Sequence, residues 1–142
     1  MPIDQAALLK VALRHASAEA EMNLPAILDT MEGEPVYEFF PLGKKFVGME
    51  LTKRYYQYYI DDFCHRIAGY KMRAEWLNDV GLAQEYSIDC RVAGRIKTFR
   101  IFSILVFGKA KLKGERLYGD EEFFRMLCGP VWNEIVPIDP AE

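Results

Sequence analysis

Tyrosines recur at helical spacing between Met49 and Cys64. Tyr55 and Tyr59 stand in a series with Leu51 and Phe63 at intervals of four, with Tyr56 and Ile60 beside them. That period predicts a helix carrying a wall of tyrosine rings on one face. Such a stripe ordinarily packs a core, yet buried tyrosine hydroxyls need hydrogen-bond partners, and a polar cavity supplies them. Carboxylates are the second chemical resource. Glu75, Glu85 and Asp89 fall where alternation predicts the wet face of strands. Desolvation would raise the pKa of any one turned inward and make it a candidate acid or base.

The other reactive types lack the company that chemistry requires. His15 and His65 lie on separate predicted helices without HxxxH or Cys/His ligand spacing, and read as surface or capping residues; no metal is expected. Cys64 and His65 are chain neighbours and point different ways on a helix, which argues against a thiolate–imidazole pair. Cys90 and Cys128 complete an odd, widely spaced set that suits reduced thiols better than disulfides. Gly108 to Gly114 holds three lysines without the GK[ST] ending of a phosphate loop. Neither GxSxG nor GxGxxG occurs, and no cofactor is expected.

The 142 residues carry a net charge of −3, and 51% are hydrophobic. That composition predicts one folded domain spanning residues 1–142, with enough chain to bury a core unaided. Nucleic acid is disfavoured as a partner, because no basic stripe stands ready to displace phosphate counterions. The longest apolar run, Ile101 to Phe107, is far shorter than a membrane span. The start Met1-Pro2-Ile3-Asp4 lacks the basic and apolar regions of a signal peptide, so a cytoplasmic location is expected.

The elements that must position these side chains follow from period and punctuation. Asp4 and Asn23 are N-caps for two helices, the first bearing Leu8, Val11, Ala12 and Ala16 at helical spacing and the second stopped by Gly33 and Pro35. A short strand, Val36 to Phe40, precedes the turn Pro41-Leu42-Gly43 and the tyrosine helix. The period then becomes two. Tyr70, Met72, Ala74 and Trp76 share one face of a strand, and Leu82, Gln84, Tyr86, Ile88 and Cys90 share one face of the next. Gln84 is the polar exception on that inner face. Phe99 to Phe107 is apolar on both parities, as in a strand covered on both sides. A strand from Leu112 to Tyr118 leads to a helix from Glu121 to Cys128, capped by Asp120 and stopped by Gly129-Pro130. The fold class is therefore α+β: a curved antiparallel sheet wrapped around N-terminal helices, a cone with an internal pocket.

Two stretches resemble a known superfamily. Phe46-Val47-Gly48-Met49-Glu50-Leu51 running into Tyr55-Tyr56 is similar to a glycine before an Ile/Phe-Tyr helix. Glu115-Arg116-Leu117-Tyr118-Gly119-Asp120 is similar to a final strand ending Tyr-x-Asp. Both resemble the nuclear transport factor two-like superfamily, whose SnoaL-like members include polyketide cyclases, epoxide hydrolases and ketosteroid isomerases. The resemblance spans nearly the whole chain and implies an open cone-shaped pocket and dimers through the outer sheet face. It does not fix the chemistry. Where the isomerases have an aspartate base before a proline, this chain has Phe40. Their oxyanion donor falls near Phe102 or Ser103, of which only Ser103 can donate. Where the epoxide hydrolases have an aspartate before the shared tyrosine, this chain has Leu117.

Periodicity and resemblance disagree over the final strand. Lys109, Lys111 and Lys113 share parity with Leu117 and would place it outside, whereas the resemblance places it inside. A bulge at Gly114 reconciles them. Without one, Arg116, Tyr118 and Asp120 face inward as an Arg–Asp arrangement suited to a carboxylate or carbonyl ligand. Both registers stay open on sequence alone.

The sequence thus supports a pocket protein for a small apolar or carbonyl-containing ligand, without established catalysis. The expected ligand-binding set is Tyr55, Tyr59, Met72 and Trp76, joined by Gln84, Tyr86 and Tyr118. The alternative is a cyclase, isomerase or dehydratase that pairs a carboxylate, Asp120 or Glu115, with a tyrosine such as Tyr55. A helix N-cap explains Asp120 without chemistry. Since one parity of Ile101 to Phe107 has no element to cover it, a homodimer through that face is the expected assembly.

Overall fold

The computed structural model describes residues 2–142. Helix α1 (Gln5–Ala20) starts where Asp4 accepts a hydrogen bond from the Ala7 amide at 3.0 Å, and α2 (Leu24–Asp29) starts with the equivalent bond from Ala26 to Asn23. Strands β1 (Met31–Phe40) and β2 (Lys44–Val47) form a hairpin. The tyrosine helix α3 (Met49–Tyr58) passes through a π turn, Tyr59–Phe63, into a last turn, α4 (Cys64–Arg66). A meander of β3 (Ile67–Leu77), β4 (Gly81–Val92), β5 (Arg95–Phe107) and β6 (Leu112–Tyr118) follows. Helix α5 (Glu121–Cys128), a 3₁₀ segment over Gly129–Glu134 and the two-residue strand β7 (Val136–Pro137) end the chain.

The architecture is the expected α+β one. Seven strands lie in the order β3-β4-β5-β6-β1-β2-β7. The sheet is mixed rather than wholly antiparallel, because β1 pairs with β6 in parallel at its centre. The sequence reading stopped α2 at Gly33 and Pro35 and began the strand at Val36. Instead β1 begins at Met31, accommodates Gly33 at φ 64° and resumes regular pairing at Val36. Its hairpin partner β2 was not anticipated: four residues are too few to display a period. No helix among the described residues is long and apolar enough to cross a membrane.

Two of the sheet's register shifts decide where residues expected at the site face. In β6, Gly114 pairs with Val106 and Leu112 with Phe107, leaving Lys113 as the extra residue. Gly114 sits at φ 145°, and a Cβ there would fall within the Val36 carbonyl of β1. The bulge reverses parity after the lysines, so Glu115 and Leu117 turn inward while Arg116 pairs with Glu38 at 3.4 Å. In β3 the register shifts between Met72 and Ala74, with Arg73 as the extra residue. Met72 therefore faces Tyr86, whereas Trp76 stands opposite Ala83 with its ring 5.9 Å from Phe102.

The core fills the space between α1, α3, α5 and the sheet. Tyr37, Phe39, Phe46, Tyr56, Phe63, Phe123 and Phe124 are among its fully buried side chains. Tyr37 stacks on Phe46 at 4.9 Å, and Phe39 meets Phe124 edge to face at 5.1 Å. This aromatic wedge holds the helices off the sheet on one side and leaves an opening on the other.

Candidate functional site

A cavity of about 400 Å³ lies between α1, the tyrosine helix and the concave face of β3 to β6. Its walls are mostly apolar: Phe63, Ile88, Leu105, Leu117, Phe123 and Leu127. Tyr55 and Tyr59 reach it from the helix, and Tyr70, Met72 and Tyr86 from the strands. Tyr59 and Phe63 come from the π turn, a widening frequent at functional sites, and their rings stack at 5.5 Å. Ala16 and Ala20 of α1, both exposed, and the half-exposed Tyr70 form its mouth.

Its floor is polar. Gln84 and Ser103 are direct cross-strand partners, and Glu115 is diagonal to Ser103 through the Leu105–Glu115 and Ser103–Leu117 pairs. Glu115 is only 8% exposed. Its pKa lies well above the ordinary carboxylate value. Burial is the main cause, the negative charge of Glu19 adds to it, and a hydrogen bond with Ser103 works weakly against it. No lysine, arginine or histidine lines the cavity to offset that cost. Burial thus favours the protonated form of Glu115, which can donate a hydrogen bond. The hydroxyls of Tyr55, Tyr59 and Tyr86 stay protonated for the same principal reason, with burial lifting each well above 10.0.

Of the residues expected at the site, Tyr55, Tyr59, Met72, Gln84, Tyr86 and Glu115 are brought together around this cavity. Three lie elsewhere. The Arg73 bulge carries Trp76 to the outer face, where it is 52% exposed. Tyr118 is also outside, stacked on Phe40 at 5.1 Å, because the Gly114 bulge gives the inward parity to Leu117. Asp120 is exposed beyond the end of β6, and its carboxylate accepts from the Phe123 amide at 2.9 Å as the cap of α5. Glu85 keeps to the outer side of β4, paired with Arg100 at 2.6 Å. Asp89 accepts from Thr98 at 2.6 Å. Glu75 is exposed and accepts from Gln84 at 3.0 Å.

Glu19 was not anticipated, and His15, read as a surface or capping residue, is fully buried. The signal lay in spacing: Leu8, Ala12, His15 and Glu19 follow one another at intervals of four, three and four, which continues one helical face. Among the described residues, no group of three or more His, Cys, Asp or Glu side chains is arranged to hold a metal ion.

No family model and no curated protein matches this sequence. Solved structures do match its shape. An NTF2-like protein from Anabaena variabilis superposes with a TM-score of 0.63 at 19% identity, over 85% of this chain and 95% of that one. PrhC from Penicillium brasilianum gives 0.61 at 12% identity, over 92% and 91%. A de novo designed protein with a curved β-sheet gives 0.66 at 16% identity, over 93% and 99%. Likeness to natural and designed chains at such low identity is a likeness of architecture, not of chemistry. In architecture the chain has the nuclear transport factor two-like fold.

Proposed function

We propose that this chain binds a small, largely apolar molecule bearing a carbonyl group. The carrying observation is Glu115: a buried carboxyl group on the sheet floor of a mostly apolar cavity whose lining holds no lysine, arginine or histidine, surroundings that favour its protonated form. A carbonyl oxygen is the ligand group that best satisfies such a donor, while the tyrosine and phenylalanine rings receive a flat hydrocarbon body. A carboxylate ligand would meet Glu19 with no lysine, arginine or histidine in the lining to compensate, so acids are disfavoured. In this reading Tyr55, Tyr59, Met72, Gln84 and Tyr86 contact the ligand. A homodimer through the outer face of the sheet completes the proposal.

Prodan, a neutral naphthyl ketone whose emission reports the polarity around it, is a suitable probe. Its emission should shift to the blue on mixing with the protein. Glu115→Leu, which removes the donor but keeps the cavity apolar, should weaken binding about tenfold. Ala16→Trp, placed at the mouth, should abolish it. Unchanged emission with the wild-type chain would refute the reading.

One observation favours a second reading, an isomerase, cyclase or dehydratase. Two carboxyl groups, Glu19 and Glu115, face the same cavity from unlike surroundings, the arrangement that separates an acid from a base.

A further inference from the structure

Glu19 stands between Ala16 and Ala20, the two exposed alanines that α1 contributes to the mouth of the cavity, and its side chain is one quarter exposed. One of its oxygens is engaged. Oε1 lies 3.1 Å from Nε2 of His15, whose buried ring is held from behind. Thr30 Oγ1 donates to the Ile27 carbonyl oxygen at 2.6 Å, so the same oxygen accepts from His15 Nδ1 at 2.7 Å, and Nε2 lies 3.0 Å from the Tyr56 hydroxyl. The second oxygen, Oε2, has no hydrogen-bond partner among the described residues, and Glu19 pairs with no lysine or arginine among them. Its carboxylate is anchored on one side and open on the other.

The same end of the cavity is aromatic. Tyr70 lies half-exposed at the rim with its ring 5.3 Å from that of Tyr86, and Tyr59 lines the cavity with them. After burial, the negative charge of Glu19 is the largest influence raising the Tyr59 and Tyr70 hydroxyls, as expected of phenols close to that carboxylate. An unpaired glutamate on an open surface is ordinary, because water solvates it. Glu19 is mostly withdrawn from water already, and any ligand that fills the mouth removes more. A neutral hydrocarbon there would desolvate Oε2 without replacing its water, and an anion would be repelled. An alkylated ammonium satisfies both features: its charge pairs with the carboxylate, and its methyl groups, which share that charge, pack on electron-rich ring faces.

We propose that the mouth of the cavity is a cation subsite, in which Glu19 pairs with an alkylated ammonium group of the ligand and Tyr59, Tyr70 and Tyr86 supply ring faces to its methyl groups. The ligand class narrows accordingly to amino ketones and their quaternary counterparts, with the carbonyl at the Glu115 floor and the ammonium at the mouth. This rests on the carbonyl-binding reading above, which sets the orientation. His15 is a positioning residue: it holds Oε1 and leaves Oε2 to the ligand. The subsite is one of recognition, and no bond is made or broken in it.

The test displaces prodan at neutral pH with three ketones that share a benzoyl group and a trimethylene spacer and differ at its end: γ-trimethylammoniobutyrophenone, its tert-butyl isostere and γ-benzoylbutyrate. The first carries a charge that no proton transfer can remove. It should displace prodan at about tenfold lower concentration than the isostere, and γ-benzoylbutyrate should be the weakest of the three. Raising the salt concentration should weaken the ammonium ketone and leave the isostere unchanged. Glu19→Gln should close the gap between these two while binding the isostere as the wild type does, which also reports that the variant is folded. Glu19→Asp, which keeps the charge, should retain part of the gap. Tyr70→Leu, at the exposed rim, should weaken the ammonium ketone about threefold and spare the isostere. Glu115→Leu should weaken both by the same factor, because both present the same carbonyl. Equal binding of ammonium ketone and isostere by the wild-type chain would overturn the cation subsite and leave the carbonyl-binding reading standing, whereas failure of prodan and of every ketone to bind would remove that reading too. A gap that survives in Glu19→Gln would overturn the assignment to Glu19.

Discussion

At the scale of the residue, Glu115 is the costly choice. A leucine there would extend the hydrophobic wall formed by Leu105 and Leu117, whereas a carboxyl buried without a cation is costly to ionise. The consequence is measurable as linkage. In the unfolded chain Glu115 titrates near 4.5, and in the folded chain well above it. Between those values the folded state keeps a proton that the unfolded state releases. Glu115 therefore contributes a stability term that is fully present below about pH 4.5 and is lost as pH rises toward the folded value. The slope approaches about 1.4 kcal/mol per pH unit at most. Glu115→Gln removes the term while retaining a hydrogen-bond donor. Urea unfolding of both chains from pH 5 to pH 8 should show the wild type losing stability relative to the variant as pH rises. Parallel curves would mean that Glu115 ionises without penalty.

At the scale of the element, both bulges act as switches on side-chain direction. Gly114 is the one with a single responsible atom, because its positive φ and the Val36 carbonyl both exclude a Cβ. Gly114→Ala should cost about 3 kcal/mol or more in urea unfolding, a combination of backbone strain and overpacking. A cost below about 1 kcal/mol would show that β6 reaches its register without the glycine. The same bulges mark where the sequence stopped being legible. The period of four identified the tyrosine helix, and the period of two identified the strands of the meander, because those patterns are set locally by burial on one face. Asp4, Asn23 and Asp120 were legible as caps because short oxygen-bearing side chains satisfy helix amides wherever they stand. Trp76 and Tyr118 were misplaced because each lies beyond an inserted residue, and one insertion inverts everything that follows it. The parallel β1–β6 pair depends on contacts between chain segments some eighty residues apart, which no local pattern records. His15 and Glu19 escaped notice because a histidine and a glutamate in a helix resemble surface residues until their partners Thr30 and Tyr56 are in place.

At the scale of the whole molecule, the convex face of the sheet is the unfinished surface. Phe40, Tyr118, Phe102 and Trp76 form a run of neighbouring rings across it, with centroids 5.1, 5.9 and 5.9 Å apart. Trp76 and Tyr118 are 52% and 40% exposed. The C-terminal segment does not fold over these rings: β7 pairs with β2, at the opposite edge of the sheet from β3. Helix α5 lies on the other side, where Phe123 and Leu127 line the cavity. A contiguous aromatic strip of this kind is what a protein interface buries, and its rim is charged, with the Glu85–Arg100 and Glu38–Arg116 pairs beside it. A second copy turned by a two-fold axis would bury the strip against itself, using the commonest symmetry of soluble oligomers. Sedimentation equilibrium at micromolar concentration should therefore give twice the chain mass of 16.4 kDa. Phe102→Glu, at the middle of the strip, should give the monomer while leaving prodan binding in place, because the cavity opens on the opposite face. A wild-type monomer at that concentration would refute the dimer, and a dimer that survives Phe102→Glu would place the interface on another surface.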